Sequence, residues 1–153
     1  MKKKPIIIMV AIVAVAAILI GGGIYLYPHL VERTVSQVVG NDMTDIVKIE
    51  MQSGTTGISK EVTNKKDIEE ITNLFKNIKV KKSFDQSDKM GFSLGIKMYT
   101  ADSKEILLSS GQSINGINYE YNVDLSVNMK NIVDYIEEKY ELNTWPEEEI
   151  EED

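Results

Sequence analysis

The segment Phe92-Ser-Leu-Gly-Ile-Lys-Met-Tyr99 has the clearest structural signal in this chain. Its apolar residues Phe92, Leu94, Ile96 and Met98 alternate with residues that are small, polar or amphipathic. Alternation with a period of two is typical of a β-strand that buries one face and exposes the other. The sequence therefore predicts a half-buried strand here, and we interpret the flanking segments relative to it.

The residues after this strand predict hairpins and a helix. A turn at residues 101–103 leads to a second strand at residues 105–109. Asn115 and Gly116 lie between two isoleucines, the strongest short hairpin signal, because both residues tolerate the positive φ angles of a type I′ turn. The outgoing strand is expected to place on one face Ile117, Tyr119, Tyr121 and Val123. A C-terminal helix, opened by Ser126 or Asn128, is expected to bury Met129, Ile132, Val133, Ile136 and Tyr140.

The residues before Phe92 predict two strands, a helix and a third strand. Val47, Ile49 and Met51 alternate with charged residues, and turn residues 53–57 lead to a returning strand at residues 58–63. Asn64 is the predicted N-cap of a helix. The apolar face of that helix consists of Ile68, Ile71, Leu74, Phe75 and Ile78. Residues 79–84 then predict a short, charged strand.

A second signal lies at the N-terminus, where residues 6–27 contain 22 consecutive residues without a charge. A helix of this length is about 33 Å long, enough to cross a hydrocarbon core of about 30 Å. Lys2, Lys3 and Lys4 precede the stretch, so the positive-inside rule predicts a cytoplasmic N-terminus and an extracellular domain. Tyr25 is expected to anchor the outer end of the helix, and Pro28 to stop it.

The alternative to a retained anchor is a cleaved secretory signal. Residues 14–17 supply the small residues that a signal peptidase requires, but the apolar run continues for ten residues beyond them. We therefore expect a single-pass protein of the cell membrane. Gly21, Gly22 and Gly23 form either a close-packing face for another helix or, as we favour, a region of incidental flexibility.

Together these patterns predict an α+β protein: an N-terminal transmembrane helix followed by a small antiparallel sheet with two helices packed on one face, in the order ββαβββ(β)α. The expected boundaries are a cytoplasmic basic end at 1–5, a membrane anchor at 6–27, a stalk or linker at 28–44, an extracytoplasmic domain at 45–142 and an acidic disordered tail at 143–153. The stalk is either a short helix ending at Gly40 or a lightly structured linker. A fragment of residues 42–142 is expected to fold alone.

Charge and residue inventory restrict the chemistry of the domain. The whole chain has a net charge of −7, but residues 28–140 contain 14 basic and 17 acidic side chains, so most of the acidity lies in the tail. No basic face for nucleic acid is predicted. The chain has no cysteine and only one histidine, His29, which lies in the predicted linker. This excludes Ser-His-Asp, Cys-His and His-rich zinc sites, and residues 85–88 only superficially resemble a calcium loop. We expect no catalytic, cofactor or metal residues.

Two surface groups are candidates for binding a partner. An exposed aromatic patch around Tyr99, Tyr119 and Tyr121, with no cleft, would favour binding, whereas a deep pocket with two facing carboxylates would favour an enzyme. A lysine cluster, consisting of Lys76, Lys79, Lys81 and Lys82, either meets anionic lipid or wall polymers, meets the acidic tail, or protects an edge strand from aggregation. The tail itself is interpreted as solubilising disorder or as a weak contact for cations or a basic partner.

The order of these segments resembles a known class of domains. A lysine-rich start and single span are followed by Ile46-Val-Lys-Ile-Glu-Met51, a helix around Ile-Glu-Glu-Ile-Thr-Asn-Leu-Phe75, and the hairpin Ile114-Asn-Gly-Ile117. This is similar to the small extracytoplasmic domains of unknown function on Gram-positive lipoproteins and membrane-anchored proteins. The resemblance covers about residues 45–140 and implies a location and an α+β fold, with no catalytic residues. The lipidated cysteine of the lipoproteins is missing here.

The sequence thus favours a non-enzymatic, membrane-anchored binding module of the bacterial cell envelope. Its expected partners are the lipid bilayer, through residues 6–27, and an envelope protein or anionic polymer, with no nucleic acid. One alternative is an immunity or inhibitor protein against a secreted toxin or wall enzyme. The other is an envelope hydrolase that uses a pair of acidic residues.

Overall fold

The computed structural model describes residues 4–87, 91–110, 112–121 and 123–144. The first element is a long apolar helix, α1 (Lys4–Leu30), within which Ile8–Leu30 has the length and composition to cross a membrane. The rest is an antiparallel sheet with helices, so the α+β class is confirmed in outline. The predicted tail lies almost entirely outside the described residues.

The elements that follow α1 alternate between short strands and helices. The first group is β1 (Arg33–Thr34), α2 (Val35–Val39), β2 (Ile46–Ser53) and β3 (Ser59–Val62). The second is α3 (Lys65–Phe75), β4 (Lys79–Lys82), β5 (Leu94–Thr100) and β6 (Glu105–Ser109). The last is β7 (Ser113–Ile114), β8 (Ile117–Tyr121) and α4 (Val123–Lys139). The eight strands form one sheet in the order β1-β4-β8-β7-β6-β5-β2-β3, with every neighbouring pair antiparallel.

The alternation read from the sequence sets which residues of the central strands are buried. On β5, Leu94, Ile96 and Met98 are buried, whereas Lys97 and Tyr99 between them are partly exposed. The buried strand residues form a single apolar cluster with residues of both long helices of the domain. The cluster includes from α3 Ile68, Ile71 and Phe75, and from α4 Met129, Val133 and Ile136.

Polar groups at the helix ends and between helices fix the orientation of α3 and α4. The predicted N-cap of α3 is confirmed, since Asn64 Oδ1 accepts hydrogen bonds from the amides of Lys66 and Asp67. Between the two helices, Lys139 Nζ lies 2.9 Å from Glu70 Oε1, and the Tyr135 hydroxyl donates to the same carboxylate. These contacts hold the C-terminal half of α4 against α3.

The structure corrects the expectation that Pro28 ends the first helix. Helix α1 continues to Leu30, and the amide of Val31 still bonds the carbonyl of Tyr27 at 3.0 Å. A proline lacks only its own amide donor, so a helix that ends within one turn of it loses a single hydrogen bond. The apolar helix therefore extends to the first residues that contact the sheet.

The segment expected to be a stalk or linker, residues 28–44, is built into the folded domain. Strand β1 pairs with β4, and α2 has a complete capping box between Thr34 and Gln37 and ends at Gly40, which has φ +67°. Val35 and Met43 are 2% and 3% exposed and belong to the apolar cluster. A linker reading is therefore wrong for these residues, and the helix ending at Gly40 is present.

Strand β8 ends earlier, and the final helix begins earlier, than the sequence suggested. The expected strand reached Val123, but pairing with β4 stops at Tyr121 opposite Val80. Strand β4 begins at Lys79, one residue before Val80. It therefore has almost no backbone left to pair with residues that follow Tyr121. The chain turns into α4 at Val123, three to five residues before the expected start.

The two-residue hairpin at Asn115-Gly116 forms as predicted, and its glycine gives a test of the turn. Asn115 and Gly116 have φ angles of 50° and 77°, and the flanking Ile114 and Ile117 pair with each other. No heavy atom lies within 4 Å of a Cβ added at Gly116, so Gly116→Val is opposed only by the left-handed backbone. We expect it to cost about 1–2 kcal/mol of unfolding free energy, measured by thermal denaturation of the full chain in detergent. An unchanged melting temperature would show that the turn does not require positive φ.

Candidate functional site

The face of the sheet opposite the buried face carries a groove of about 510 Å³. Strands β2, β3, β5 and β6 line it, and its polar lining includes Glu50, Gln52, Lys60, Glu61 and Lys97. Leu107, which is 42% exposed, supplies an apolar wall. We call this surface the sheet groove. This concave surface combines side chains of both charges with apolar contacts.

A group of four side chains at one end of the sheet groove is held together by hydrogen bonds. Lys48 Nζ lies 2.6 Å from Glu50 Oε1 and 3.4 Å from Glu61 Oε2. The Tyr99 hydroxyl donates to the other oxygen of Glu50, Oε2, at 2.9 Å. The ammonium group of Lys48 also lies 4.3 Å from the centre of the Tyr99 ring, within the range of a cation–π interaction. This Lys48 cluster presents an ordered aromatic ring to the solvent.

Contacts within the cluster and burial shift the pKa values of Lys48, Glu50 and Tyr99 toward the protonation states that preserve the cluster. The hydrogen bond from Lys48, and then that from Tyr99, lowers the pKa of Glu50. The hydrogen bond to Glu50 raises the pKa of Lys48. Burial, followed by the bond to Glu50, raises the pKa of Tyr99. At neutral pH the carboxylate and the ammonium group are therefore both charged, and the phenol is neutral.

Removing Lys48 is expected to change the acid titration of Glu50. In Lys48→Met we expect the pKa of Glu50 to rise toward its ordinary value of 4.5, because Lys48 is the largest cause of the lowering. Since the folded-state pKa is depressed, ionised Glu50 stabilises the fold above pH 4.5, and this contribution is lost as the pH falls through the folded-state pKa. Lys48→Met should therefore retain less of the stabilisation that ionised Glu50 contributes.

Carbon-13 NMR of the glutamate carboxyl groups during a pH titration measures this shift. Lys65→Met is the matched control, because Lys65 pairs with Glu69 on α3 rather than with Glu50. A Glu50 pKa that stays unchanged in Lys48→Met would contradict the cluster.

Tyr99 and Tyr119, two of the three tyrosines considered for an aromatic patch, do not share a surface. Tyr99 lies in the Lys48 cluster, whereas Tyr119 is partly buried and packs against the apolar core. The side chain of Tyr121, the last residue of β8, lies outside what the structure describes. Tyr99 is therefore the tyrosine that belongs to the candidate site.

The lysine cluster read from the sequence is divided by the fold. Strand β4 lies between β1 and β8, so its lysines do not line an edge strand as one interpretation held. Lys81 Nζ bonds Glu120 at 3.2 Å, and Lys79 is exposed opposite Thr34. Lys76 caps the C-terminal end of α3. Only Lys79, Lys81 and Lys82 share one strand, and none of them lines the sheet groove.

His29, which the sequence assigned to a linker, is buried at the junction of α1 and the sheet. It is 5% exposed, and its Nδ1 lies 3.0 Å from the carbonyl oxygen of Lys82. Its ring stacks on Phe84 with centroids 4.2 Å apart. No local sequence pattern marks a histidine for such a contact, since it depends on where β4 lies. His29 does not line the sheet groove, and its contacts are those of a packed junction, which supports a structural role.

A glycosidase acts through a pair of carboxyl groups, one of which is protonated because its pKa is raised. The described carboxyl groups with a clear shift, Asp42, Glu50, Glu70 and Asp102, all have a lowered pKa through hydrogen bonds. Residues 85–87, part of the segment that only superficially resembles a calcium loop, form a local turn as expected, in which Asp85 Oδ1 accepts a hydrogen bond from the amide of Ser87 at 3.0 Å.

One buried carboxylate stands apart from these. Glu137 is 7% exposed and lines a separate cleft of about 340 Å³ with Ser93 and Ser110. Its Oε2 accepts a hydrogen bond from Asn143, and its Oε1 has no partner within the described part of the chain. Glu137 is therefore the residue through which the hydrolase alternative is best tested.

Comparison with known proteins gives no relative: no family model, no curated protein and no solved structure matches the chain. The likeness to small extracytoplasmic domains stays a prediction, and function has to be argued from the geometry above.

Proposed function

We propose that this protein is a membrane-anchored binding module on the outer surface of a Gram-positive-like cell envelope. The observation that carries the proposal is the sheet groove with its Lys48 cluster. In this proposal α3 and α4 cover one face of the sheet, as the shared apolar cluster supports, and the other face is left to the partner. The groove combines charged side chains with the exposed Leu107, and Tyr99 bonds its lining residue Glu50, which suits a protein or polymer segment.

The membrane anchor in this proposal is α1. The apolar residues of the helix are largely exposed, with Ile18, Leu19 and Ile24 each at or above 70%. Cleavage after Ala17 would leave thirteen residues of this helix, up to Leu30, at a new N-terminus, most of them exposed and apolar. Burial in a bilayer removes that surface from water, which is why we propose a retained anchor with its N-terminus in the cytoplasm.

The location is tested by adding protease to intact protoplasts. We expect the domain to be digested while an N-terminal stub stays in the membrane. Recovery of a soluble domain that begins near residue 18 would overturn the anchor, and full protection of the domain would overturn its extracellular side.

The binding function is tested by capture from intact cells with crosslinking, using the full chain. We expect a partner to be recovered by the wild type and lost in Tyr99→Ala/Lys97→Ala, which alters the sheet groove. The matched control is Lys66→Ala/Glu69→Ala on the exposed side of α3. Equal recovery by both variants would contradict the groove as the binding surface.

A third arm separates binding from catalysis. The purified full chain is incubated with peptidoglycan, teichoic acid and peptide substrates, and we expect no turnover. Turnover that is abolished in Glu137→Gln, with the fold retained by circular dichroism, would instead support the hydrolase alternative.

A further inference from the structure

The last turn of α1 is fixed to strand β4 by several contacts at one point. His29 Nδ1 lies 3.0 Å from the Lys82 carbonyl oxygen, and its ring is sandwiched between two aromatic rings. The Phe84 ring is stacked at 4.2 Å with an interplanar angle of 11°, and the Tyr25 ring is tilted at 5.4 Å. With His29 only 5% exposed, the helix and the strand meet without intervening solvent.

This junction sets the height of β4 above a membrane that α1 crosses. The candidate span ends at Leu30, one residue after His29. At a rise of 1.5 Å per residue, His29 lies about 1.5 Å from the outer end of that span. The headgroup layer on each side of a bilayer is roughly 5–7 Å thick and begins there. The carbonyl of Lys82, which is in hydrogen-bond contact with His29, therefore falls at the boundary between the acyl chains and the headgroups.

The side chains around the junction suit that depth. Phe84 is 58% exposed although it is large and apolar, and Leu30 is 69% exposed. Lys82, the last residue of β4, is partly exposed and lies two residues before Phe84. Exposed aromatic rings beside lysines are typical of protein surfaces at the membrane interface, where the ring enters the acyl boundary and the ammonium group meets phosphate.

We propose that the C-terminal end of β4, defined as Lys82 and the following Phe84, lies against the phospholipid surface and contacts it directly. The Phe84 ring enters the boundary between headgroups and acyl chains, and Lys82 contacts lipid phosphates. His29 holds this segment at the required height. The inference rests on the proposed anchor, because α1 must span the bilayer for the depth argument to apply.

Fluorescence quenching in proteoliposomes tests the depth of Phe84. The full chain carries Phe84→Trp in a Trp145→Phe background, so that the single tryptophan reports one site. The vesicles contain phosphatidylcholine with brominated acyl chains. The control is Thr55→Trp in the same background, since Thr55 is exposed in the β2–β3 turn and β2 lies five strand positions, about 24 Å, from β4. We expect at least twofold stronger quenching at position 84 than at position 55.

Charge reversal tests Lys82. Lys82→Glu is expected to reduce quenching at position 84 by at least half, because a glutamate is repelled by lipid phosphates. The matched control, Lys65→Glu at the start of α3, should leave it unchanged. The chain has no cysteine, so Phe84→Cys carrying an environment-sensitive dye provides an independent reading if the tryptophan variant does not fold.

The outcomes separate this inference from the anchor itself. Alkaline carbonate extraction first shows whether the chain is integral to the vesicles. A chain that is extracted refutes the anchor and this inference with it. A chain that stays integral but shows equal quenching at positions 84 and 55 overturns the membrane contact alone. Strong quenching at position 84 that the charge reversal leaves unchanged shows that Lys82 does not contribute to the membrane contact.

Discussion

Replacing Ile49 with alanine is expected to cost about 2–5 kcal/mol of unfolding free energy. Ile49 is fully buried in β2, where it is paired with Val62 on one neighbouring strand and Met98 on the other. Truncation removes apolar surface from the centre of the core and leaves a cavity, because strands held on both sides have little freedom to close it. For a domain of about 100 residues this corresponds to a fall in melting temperature of roughly 10–30 °C.

The control for this prediction lies on the same strand. Val47 is 51% exposed, so Val47→Ala should change the unfolding free energy by no more than about 0.5 kcal/mol. Both variants are compared by thermal denaturation of the full chain in detergent, followed by circular dichroism. Equal losses at the two positions would mean that the β2 register, and with it the division into buried and exposed faces, is wrong.

Gly54→Ala is expected to have the second largest effect, of about 3 kcal/mol. A Cβ added at Gly54 would lie 1.6 Å from the carbonyl oxygen of Phe92, a backbone atom that cannot rotate away. The amide of Gly54 also bonds the Ser93 carbonyl at 2.8 Å, so separating the two segments breaks that hydrogen bond. The end of β2 and the approach to β5 must move apart to accept a methyl group.

The comparison with Gly116 separates steric contact from backbone strain. A Cβ at Gly116 meets no heavy atom within 4 Å, so Gly116→Ala should cost only about 1 kcal/mol through its positive φ. Urea denaturation of the two variants under identical conditions gives the order. A smaller loss for Gly54→Ala than for Gly116→Ala would contradict the close approach of Gly54 to Phe92.

Local rules were sufficient wherever the controlling residues are neighbours in sequence. The alternation of residues 94–99 predicted the buried face of β5, since successive side chains on a strand point to opposite sides. Phe92, which the same pattern placed on that face, precedes the strand and is 42% exposed. Asn64 and the pair Asn115-Gly116 were identified because a helix cap and a type I′ turn depend on one or two residues. The apolar helix at the N-terminus is equally local, because its composition and length alone determine its capacity to span a bilayer.

The tertiary structure decided everything that depends on which segments meet. Sequence order did not reveal that β4 lies between β1 and β8, or that Tyr99 and Tyr119 face different surroundings. Val35 and Met43 fall in the segment predicted to be a stalk or linker, because nothing local shows that this segment packs on the sheet, yet the core buries them. The sheet groove and the Lys48 cluster join strands β2, β3, β5 and β6, so no single segment encodes them.

His29 shows the difference most clearly. In the sequence it is a lone histidine beside a proline, and nothing near it indicates burial. Its partners, Lys82 and Phe84, lie more than fifty residues away and reach it only because β1 and β4 pair antiparallel. Composition and local periodicity therefore determined that the chain has an apolar helix and a domain of strands and helices. Long-range strand pairing determined how closely the two are joined, because a contact between distant segments leaves no periodic pattern in either of them.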